Sequence, residues 1–200
     1  MSNEKNKNRL WIYLHHRNGG PGYHWSLVLT SKSIDHTTDH ADTLIDNIYR
    51  FHATNSLQTE GNDIFISPGM ALPWRFEEEA TNITRLTNVV GRVLVAKLPA
   101  STSALLAEQA TYIRDVIRPG GSGGVAVVQN DPSWNCVSWA QDAMRALRVA
   151  GGEFSSIPDI VRGGGLEDEI QGFGDRSLAL FLKKGVQDIS SLPVLDLRFK

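Results

Sequence analysis

Residues 10–30 read LWIYLHHRNGGPGYHWSLVLT, and this segment predicts the hairpin from which the rest of the sheet extends. Residues 10–15 and 23–30 are rich in aromatic and aliphatic side chains, as strands are. Between them, residues 18–22 supply the asparagine, glycines and proline that favour a turn. We therefore expect two adjacent antiparallel strands.

Further strands and two helices follow along the chain. Residues 48–54, 74–79 and 89–98 have strand composition, whereas apolar residues recur at helical spacing over residues 104–116. A second helical pattern follows Asp131-Pro132-Ser133, which offers N-cap candidates, and ends at Gly151-Gly152. These patterns predict an α+β fold with an antiparallel sheet of about five strands and helices packed on it.

The last quarter of the chain gives weaker patterns. Residues 157–171 and 176–184 have helical spacing, but the embedded glycines predict interruptions. Residues 192–199 contain apolar side chains that could form an edge strand.

Length, composition and charge limit the classes of function. Two hundred residues with 41% hydrophobic content predict one domain over residues 10–200, after a flexible stretch over residues 1–9. The net charge is −2 and there is no dense basic cluster, which argues against nucleic acid as a partner. Without a signal-like or bilayer-length apolar run, we expect a cytoplasmic protein with no membrane span. The sequence leaves the oligomeric state open.

The single cysteine, Cys136, lies where the second helix is predicted to begin. It cannot form an internal disulfide or a multi-cysteine zinc site. Free N–H groups and the positive end of the helix dipole stabilise a thiolate at such a position. The alternative is a small core residue that happens to be a thiol.

Two histidines are predicted on neighbouring strands. Strand alternation places His24 opposite the Trp25 face, and it places His52 opposite the Phe51 face. We expect both imidazoles to point to the side on which the Cys136 helix packs. A thiolate, a base and a group that orients the base are the parts of nucleophilic acyl transfer.

Two other motifs are weaker indications of a functional site. The segment with Asp35, His36, Asp39, His40 and Asp42 could ligate a metal, but it lacks apolar residues to hold it rigid. We therefore predict no metal and no cofactor. The acidic run at residues 77–79 is interpreted as the solvated end of a strand.

Three strings carry a resemblance: YHWSLVL at residues 23–29, FHATN at 51–55 and WNCVSWA at 134–140. They resemble a family of uncharacterised fungal proteins, as do residues 74–78 and 93–97. The His, His, Cys order is similar to the circularly permuted NlpC-type, papain-like superfamily that includes lecithin:retinol acyltransferase. The resemblance implies a permuted papain-like fold with Cys136 as nucleophile, His24 as base and His52 as the orienting residue.

The expected function is a thiol hydrolase or acyltransferase acting on an amide, ester or thioester of a small molecule or peptide. We expect Asn135, Tyr23, Trp25 and Trp134 to contribute to oxyanion or substrate binding. A non-catalytic binding module on the same scaffold is the alternative, and an enzyme of secondary metabolism is a third possibility. A histidine of the long loop, rather than His52, remains an alternative for the third site residue.

Overall fold

In the computed structural model of the protein, the described residues are 7–17, 21–31, 48–55, 72–81, 86, 88–99, 103–184 and 191–198. They form a sheet of six strands with helices packed on it. The strands are β1 Lys7–His16, β2 Tyr23–Thr30, β3 Ile48–Thr54, β4 Arg75–Thr81, β5 Val89–Pro99 and β6 Val194–Asp196. The helices are α1 Ser103–Ile117, α2 Cys136–Ala150 and α3 Gly165–Lys184, with a short 3-10 helix at Gly152–Phe154.

The sheet is mixed, with the strand order β4-β3-β2-β1-β5-β6. The β1–β2 hairpin is antiparallel, as the sequence predicts, and it places His15 opposite His24. β6 is the predicted edge strand, but it runs parallel to β5. The expectation of a purely antiparallel sheet is therefore wrong, because the sixth strand of the described residues pairs in parallel.

Strand alternation divides the apolar side chains of the hairpin between two faces. Ile12, Trp25 and Leu27 lie in the larger core cluster, together with apolar residues of all three helices. Trp11 and Val28 belong to a second, smaller cluster. The sheet therefore has a helix-bearing face and an opposite face, and α2 packs on the former, against β2 and β3.

The helix α3 is continuous over twenty residues, so the predicted interruption is wrong. Its glycines permit close packing rather than ending the helix. A Cβ at Gly174 would meet the ring of Tyr23, including Cδ2 at 2.8 Å. On β5, a Cβ at Gly91 would lie 2.9 Å from Phe173 Cε1. Glycine at these two positions lets α3 lie directly on the sheet.

None of the helices in the described part of the chain has the length and apolar character needed to cross a bilayer.

Candidate functional site

The start of α2 is capped by the residue just before the cysteine. Asn135 has an extended backbone, and its Oδ1 accepts hydrogen bonds from the N–H groups of Val137 (2.8 Å) and Ser138 (3.3 Å). The prediction that Asp131 or Ser133 caps the helix is wrong. Asp131 instead accepts both bonds from Ser133, from its N at 2.8 Å and its Oγ at 2.7 Å, in the preceding turn. Cys136 is consequently the first residue of the helix.

Among the described residues, the thiol of Cys136 has two hydrogen-bond partners, and neither is an imidazole. Arg17 Nη2 donates to Sγ at 2.9 Å, and Sγ lies 4.0 Å from the carbonyl oxygen of Tyr23. The side chain of Cys136 is fully buried. Both a guanidinium and the N-terminus of a helix favour a thiolate over a thiol.

A cavity of about 250 Å³ opens beside this helix start. It is lined mainly by polar residues: Arg17, Ser133, Asn135, Ser138, Gln141, Arg162, Glu167 and Gln171, together with Pro21, Gly22, Tyr23, Val137 and Gly163. Because Arg17 both bonds Sγ and lines the cavity, it lies between the thiol and the space that a ligand would occupy. Capping directs the Oδ1 of Asn135 to the helix, which leaves its Nδ2 as a donor for a ligand.

Tyr23 connects the site to α3. Its hydroxyl donates to Asp175 Oδ1 at 2.8 Å. Burial, reinforced by this carboxylate, raises the pKa of Tyr23, so the phenol stays protonated at neutral pH. The ring packs on the helix at Gly174, and Tyr23 therefore fixes α3 at the edge of the cavity.

The structure brings the two predicted histidines together. His24 Nε2 and His52 Nδ1 are 2.8 Å apart, joined by a hydrogen bond. Beyond them, His52 Nε2 lies 3.3 Å from Glu77 Oε2, although the alignment is not that of a hydrogen bond. On the other side, His15 Nε2 is hydrogen-bonded to Ser26 Oγ at 2.8 Å, and its ring centroid lies 5.7 Å from that of His24. These five residues are called the imidazole cluster below.

Both central imidazoles are neutral at neutral pH. Burial is the main cause that lowers the pKa of His24 well below 6.5, and the imidazoles of His15 and His52 and the guanidinium of Arg17 lower it further. Burial also lowers the pKa of His52 to about 3, with the charge of Arg50 as the second cause. Arg17 therefore acts electrostatically on His24 while it bonds the thiol.

The imidazole cluster and the thiol do not share a face of the sheet. Tyr23 and Trp25 point to the helices, so alternation turns His24 to the opposite face. On β3, Phe51 packs in the helix-side core while Ile48 belongs to the opposite cluster, which gives His52 the same orientation as His24. The expectation that α2 packs on the histidine face is wrong, because α2 covers the larger aromatic face.

Comparison with known proteins assigns the chain to a family. The model of a family of unknown function, DUF6914, matches residues 7–157. The chain belongs to this family. No curated protein and no solved structure matches it. The matched segment holds Arg17, Cys136 and the imidazole cluster, whereas the α3 side of the cavity lies beyond it.

Two aromatic residues expected near a substrate are core residues in the DUF6914 chain. Trp25 is fully buried between the sheet and the helices. Trp134 is also buried, and it packs edge-on against Trp74 with ring centroids 5.4 Å apart. Neither lines the cavity beside the start of α2. Of the expected binding residues, Asn135 and Tyr23 line it.

Sequence reasoning missed Arg17, Gln141 and the role of Glu77. Arg17 directly follows His16, the last residue of β1, and no spacing rule links it to a cysteine 119 residues later. Gln141 had a signal: it is a polar residue next to Ala140 on a helix whose buried face is otherwise mostly apolar. The acidic run predicts a solvated Glu77, yet this carboxylate pairs with Arg75 at 2.6 Å beside His52.

Within the described ranges, no group of three or more His, Cys, Asp or Glu side chains is arranged to hold a metal ion. The alternative metal loop, with Asp35, His36, Asp39, His40 and Asp42, lies outside the described residues.

Proposed function

We propose that this protein is a cysteine-dependent hydrolase or acyltransferase that forms an acyl-thioester on Cys136. The observation that supports it most directly is the 2.9 Å bond from Arg17 Nη2 to Sγ, at the capped start of α2 and beside a polar cavity. At this position two positive groups, the guanidinium of Arg17 and the N-terminus of α2, stabilise negative charge on the sulfur.

The reaction begins with attack of the Cys136 thiolate on the acyl carbon. A carbon–sulfur bond forms while the carbonyl electrons move to oxygen, where Asn135 Nδ2 and N–H groups at the helix start stabilise the negative charge. The carbonyl then re-forms, and the leaving group departs with its electron pair. In the second step water or an amine attacks the acyl-enzyme and gives up a proton to solvent, and Cys136 departs as a thiolate that Arg17 pairs again.

The surroundings of the thiol favour thioesters over amides as substrates. An amine leaving group must be protonated as it departs, which requires a general acid within hydrogen-bond reach. Within the described part of the chain, Sγ bonds Arg17 and a backbone carbonyl, and neither supplies a proton readily. A thiolate leaves without a proton, because the pKa of a thiol is only about 8.5. We therefore propose thioester cleavage or acyl transfer from a thioester.

The proposal includes a permuted papain-like arrangement of the elements. It is supported by two features that the resemblance implies: the antiparallel β1, β2 and β3, and the cysteine at a helix start. In the described geometry, however, Arg17 rather than His24 is the direct partner of the thiol. We assign the imidazole cluster a structural role.

Intact-mass analysis tests the proposal. The protein is incubated with short-chain thioesters, matched oxygen esters and matched amides, and the acyl adduct is measured over time. We expect an adduct from the thioesters that is absent from Cys136→Ala. A full set of thioesters that leaves the mass unchanged would refute acyl transfer.

The second candidate function is a non-catalytic binding module, and the complete burial of Cys136 favours it. A thiol covered by Arg17 and the Tyr23 carbonyl is inert unless Arg17 moves. Iodoacetamide distinguishes the two functions, since a catalytic thiol is alkylated near neutral pH in the folded protein. A core thiol reacts only at the rate of unfolding.

A further inference from the structure

The guanidinium of Arg17 pairs with no carboxylate in the described part of the chain. Its Nη2 donates to Cys136 Sγ at 2.9 Å, and its Nε and Nη1 donate to none of the described residues. The other guanidinium in the cavity lining differs, because Arg162 pairs with Asp142 at 2.8 Å. Arg17 is half-buried and lines the cavity. A charge in such a place favours an anion that the ligand supplies.

The bond from Arg17 to sulfur is weaker than a bond to a carboxylate would be. A guanidinium has five N–H donors in a planar fork, and the bond to Sγ uses one of them. A thiol sulfur is a weak acceptor, whereas a carboxylate accepts two parallel bonds that are each about twice as strong as neutral ones. A carboxylate that enters the cavity therefore competes with the sulfur for Arg17.

This competition decides whether the thiol can react. Cys136 is fully buried, and Arg17 lies between its sulfur and the cavity. An acyl carbon reaches Sγ only after the guanidinium has moved. A ligand that attracts the guanidinium removes the obstacle to its own reaction.

The lining also limits the charge and the size of the ligand. Among the described residues that line the cavity, Glu167 carries a carboxylate, and its Oε2 accepts from Gln141 Nε2 and from the N–H of Gly163, both at 2.8 Å. This negative charge repels a phosphate of charge about −2 more than it repels a carboxylate. The volume of about 250 Å³ is below the roughly 300–1,000 Å³ of drug-sized pockets, which suits an acyl group of a few carbons.

We propose that the acyl group ends in a carboxylate, as in the monothioester of a short dicarboxylic acid, and that this carboxylate draws Arg17 away from Sγ as it binds. The uncovered Sγ then forms a bond to the thioester carbon, and the other thiol leaves as a thiolate with its electron pair. The inference deepens the proposed function by naming its acyl group and rests on that function for the thioester bond. Binding of the carboxylate to Arg17 requires no chemistry at Cys136.

The first test compares two thioesters of one thiol. The glutaryl thioester carries a carboxylate, and the glutaramoyl thioester carries a neutral carboxamide of the same shape. We expect the rate of Cys136 acylation, corrected for the rate in Cys136→Ala, to favour the glutaryl group by about 10- to 100-fold, the range of a hydrogen bond to a charged group. Arg17→Met should reduce this preference to near unity. Arg148→Met, in the last turn of α2, is the control and should keep it.

The uncovering of the thiol is tested with two alkylating agents of similar size. Iodoacetate carries a carboxylate and iodoacetamide does not. The ratio of their rates is measured on the folded protein and on the protein unfolded in urea. We expect the ratio to be about tenfold higher in the folded protein, and Arg17→Met should remove the difference. Equal ratios in folded and unfolded wild type would show that a carboxylate does not uncover Cys136.

Binding without chemistry is measured by ligand-observed NMR on Cys136→Ser, with monomethyl glutarate and methyl glutaramate as probes. We expect the carboxylate to bind about tenfold more tightly than the carboxamide. Equimolar inorganic phosphate should displace little of it. Displacement of most of the probe would overturn the choice of a carboxylate over a phosphate.

The outcomes separate this inference from the proposed function. Preferential binding of the carboxylate without acylation of wild type supports the role of Arg17 and refutes acyl transfer. Acylation by both thioesters at equal rates, with equal binding of both probes, supports acyl transfer and overturns the inference. A preference that is lost in Arg162→Met but kept in Arg17→Met would also overturn it, because the carboxylate would then bind the other guanidinium.

Discussion

Arg17 Nη2 donates a hydrogen bond of 2.9 Å to Cys136 Sγ, which joins the end of β1 to the start of α2 across 119 residues. The bond has two opposite consequences for reactivity. The guanidinium favours the thiolate, because a bond to an ionised acceptor is about twice as strong as a neutral one. The same side chain separates the thiol from the cavity. Rates of alkylation at two pH values distinguish these effects.

Arg17→Met should make the thiol more accessible and should remove the hydrogen bond from the guanidinium to its sulfur. We expect the iodoacetamide rate at pH 9.5 to stay the same or rise, while the rate at pH 7 falls relative to it by about tenfold. This factor corresponds to about 1.4 kcal/mol, close to the stabilisation from a hydrogen bond to a charged group. The measured quantity is the ratio of the two rates, which cancels any change in access.

Arg148→Met is the matched control for this ratio. Arg148 is an arginine in the last turn of α2 and pairs with Asp159 at 2.9 Å. Its removal should leave the ratio unchanged. An unchanged ratio in Arg17→Met would show that the guanidinium does not stabilise a thiolate.

Cys136→Ser should fold like wild type and form no stable acyl adduct. Serine is close to cysteine in size, but its hydroxyl stays protonated at neutral pH, and none of the described partners at this position is a base. Circular dichroism checks the fold, and intact mass after thioester incubation checks the adduct. An adduct that survives the substitution would locate acylation on another residue.

The imidazole cluster predicts a specific loss of stability in acid. His52 has a pKa of about 3 when folded, against about 6.5 when unfolded, so between these values the unfolded chain binds the extra proton. Stability is therefore fully present above pH 6.5 and falls as the pH drops toward 3, by up to about 1.4 kcal/mol per pH unit. The lowered pKa of His24 acts in the same direction.

His52→Gln should reduce the slope of the unfolding free energy against pH between pH 6 and pH 4. The reduction should correspond to about one proton, and urea denaturation at a series of pH values measures it. His16→Gln, at the end of β1 and outside the cluster, is the control and should keep the wild-type slope. Equal slopes in all three proteins would mean that His52 titrates normally.

We also expect His52→Gln to change the alkylation ratio of Cys136 less than Arg17→Met does.

Most of the sheet could be predicted because its strands are local patterns. The composition of β1, β2, β3 and β5 and the turn between the first two identify these elements. The face of the sheet on which α2 packs, by contrast, is not determined by a local sequence pattern. Both faces of the central hairpin carry apolar residues, Trp25 on one and Val28 on the other, so alternation alone could not say which face the helix covers.

The candidate site was predicted in part for the same reason. Cys136 at a helix start follows from the pattern of that helix, and the proximity of His24 to His52 follows from strand pairing. The partner of the thiol depends on how the end of β1 meets α2, which is a tertiary contact with no sequence spacing. The glycines of α3 predict an interrupted helix for a related reason. Helix propensities describe a helix by itself and do not include its packing against a sheet.

Two glycines of α3 should respond oppositely to alanine. Gly174→Ala places a Cβ against the Tyr23 ring and should cost about 1–3 kcal/mol of unfolding free energy. Gly172→Ala, whose Cβ meets only the end of Arg176 at 3.5 Å, should gain up to about 1 kcal/mol from helix propensity. Urea denaturation of both variants checks the signs. Stabilisation by Gly174→Ala would contradict the close packing of α3 on β2.

The two roles of Asn135 are separable by substitution. Asn135→Ala removes the cap and should cost about 1 kcal/mol of stability, whereas Asn135→Ser keeps an oxygen that accepts from the helix N–H groups and should cost much less. Both variants lose Nδ2. If Nδ2 stabilises the oxyanion, thioester cleavage should fall by about two orders of magnitude in both, with stability as measured by urea denaturation lost only in Asn135→Ala. Full activity in Asn135→Ser would restrict this residue to capping and leave the oxyanion to backbone N–H groups.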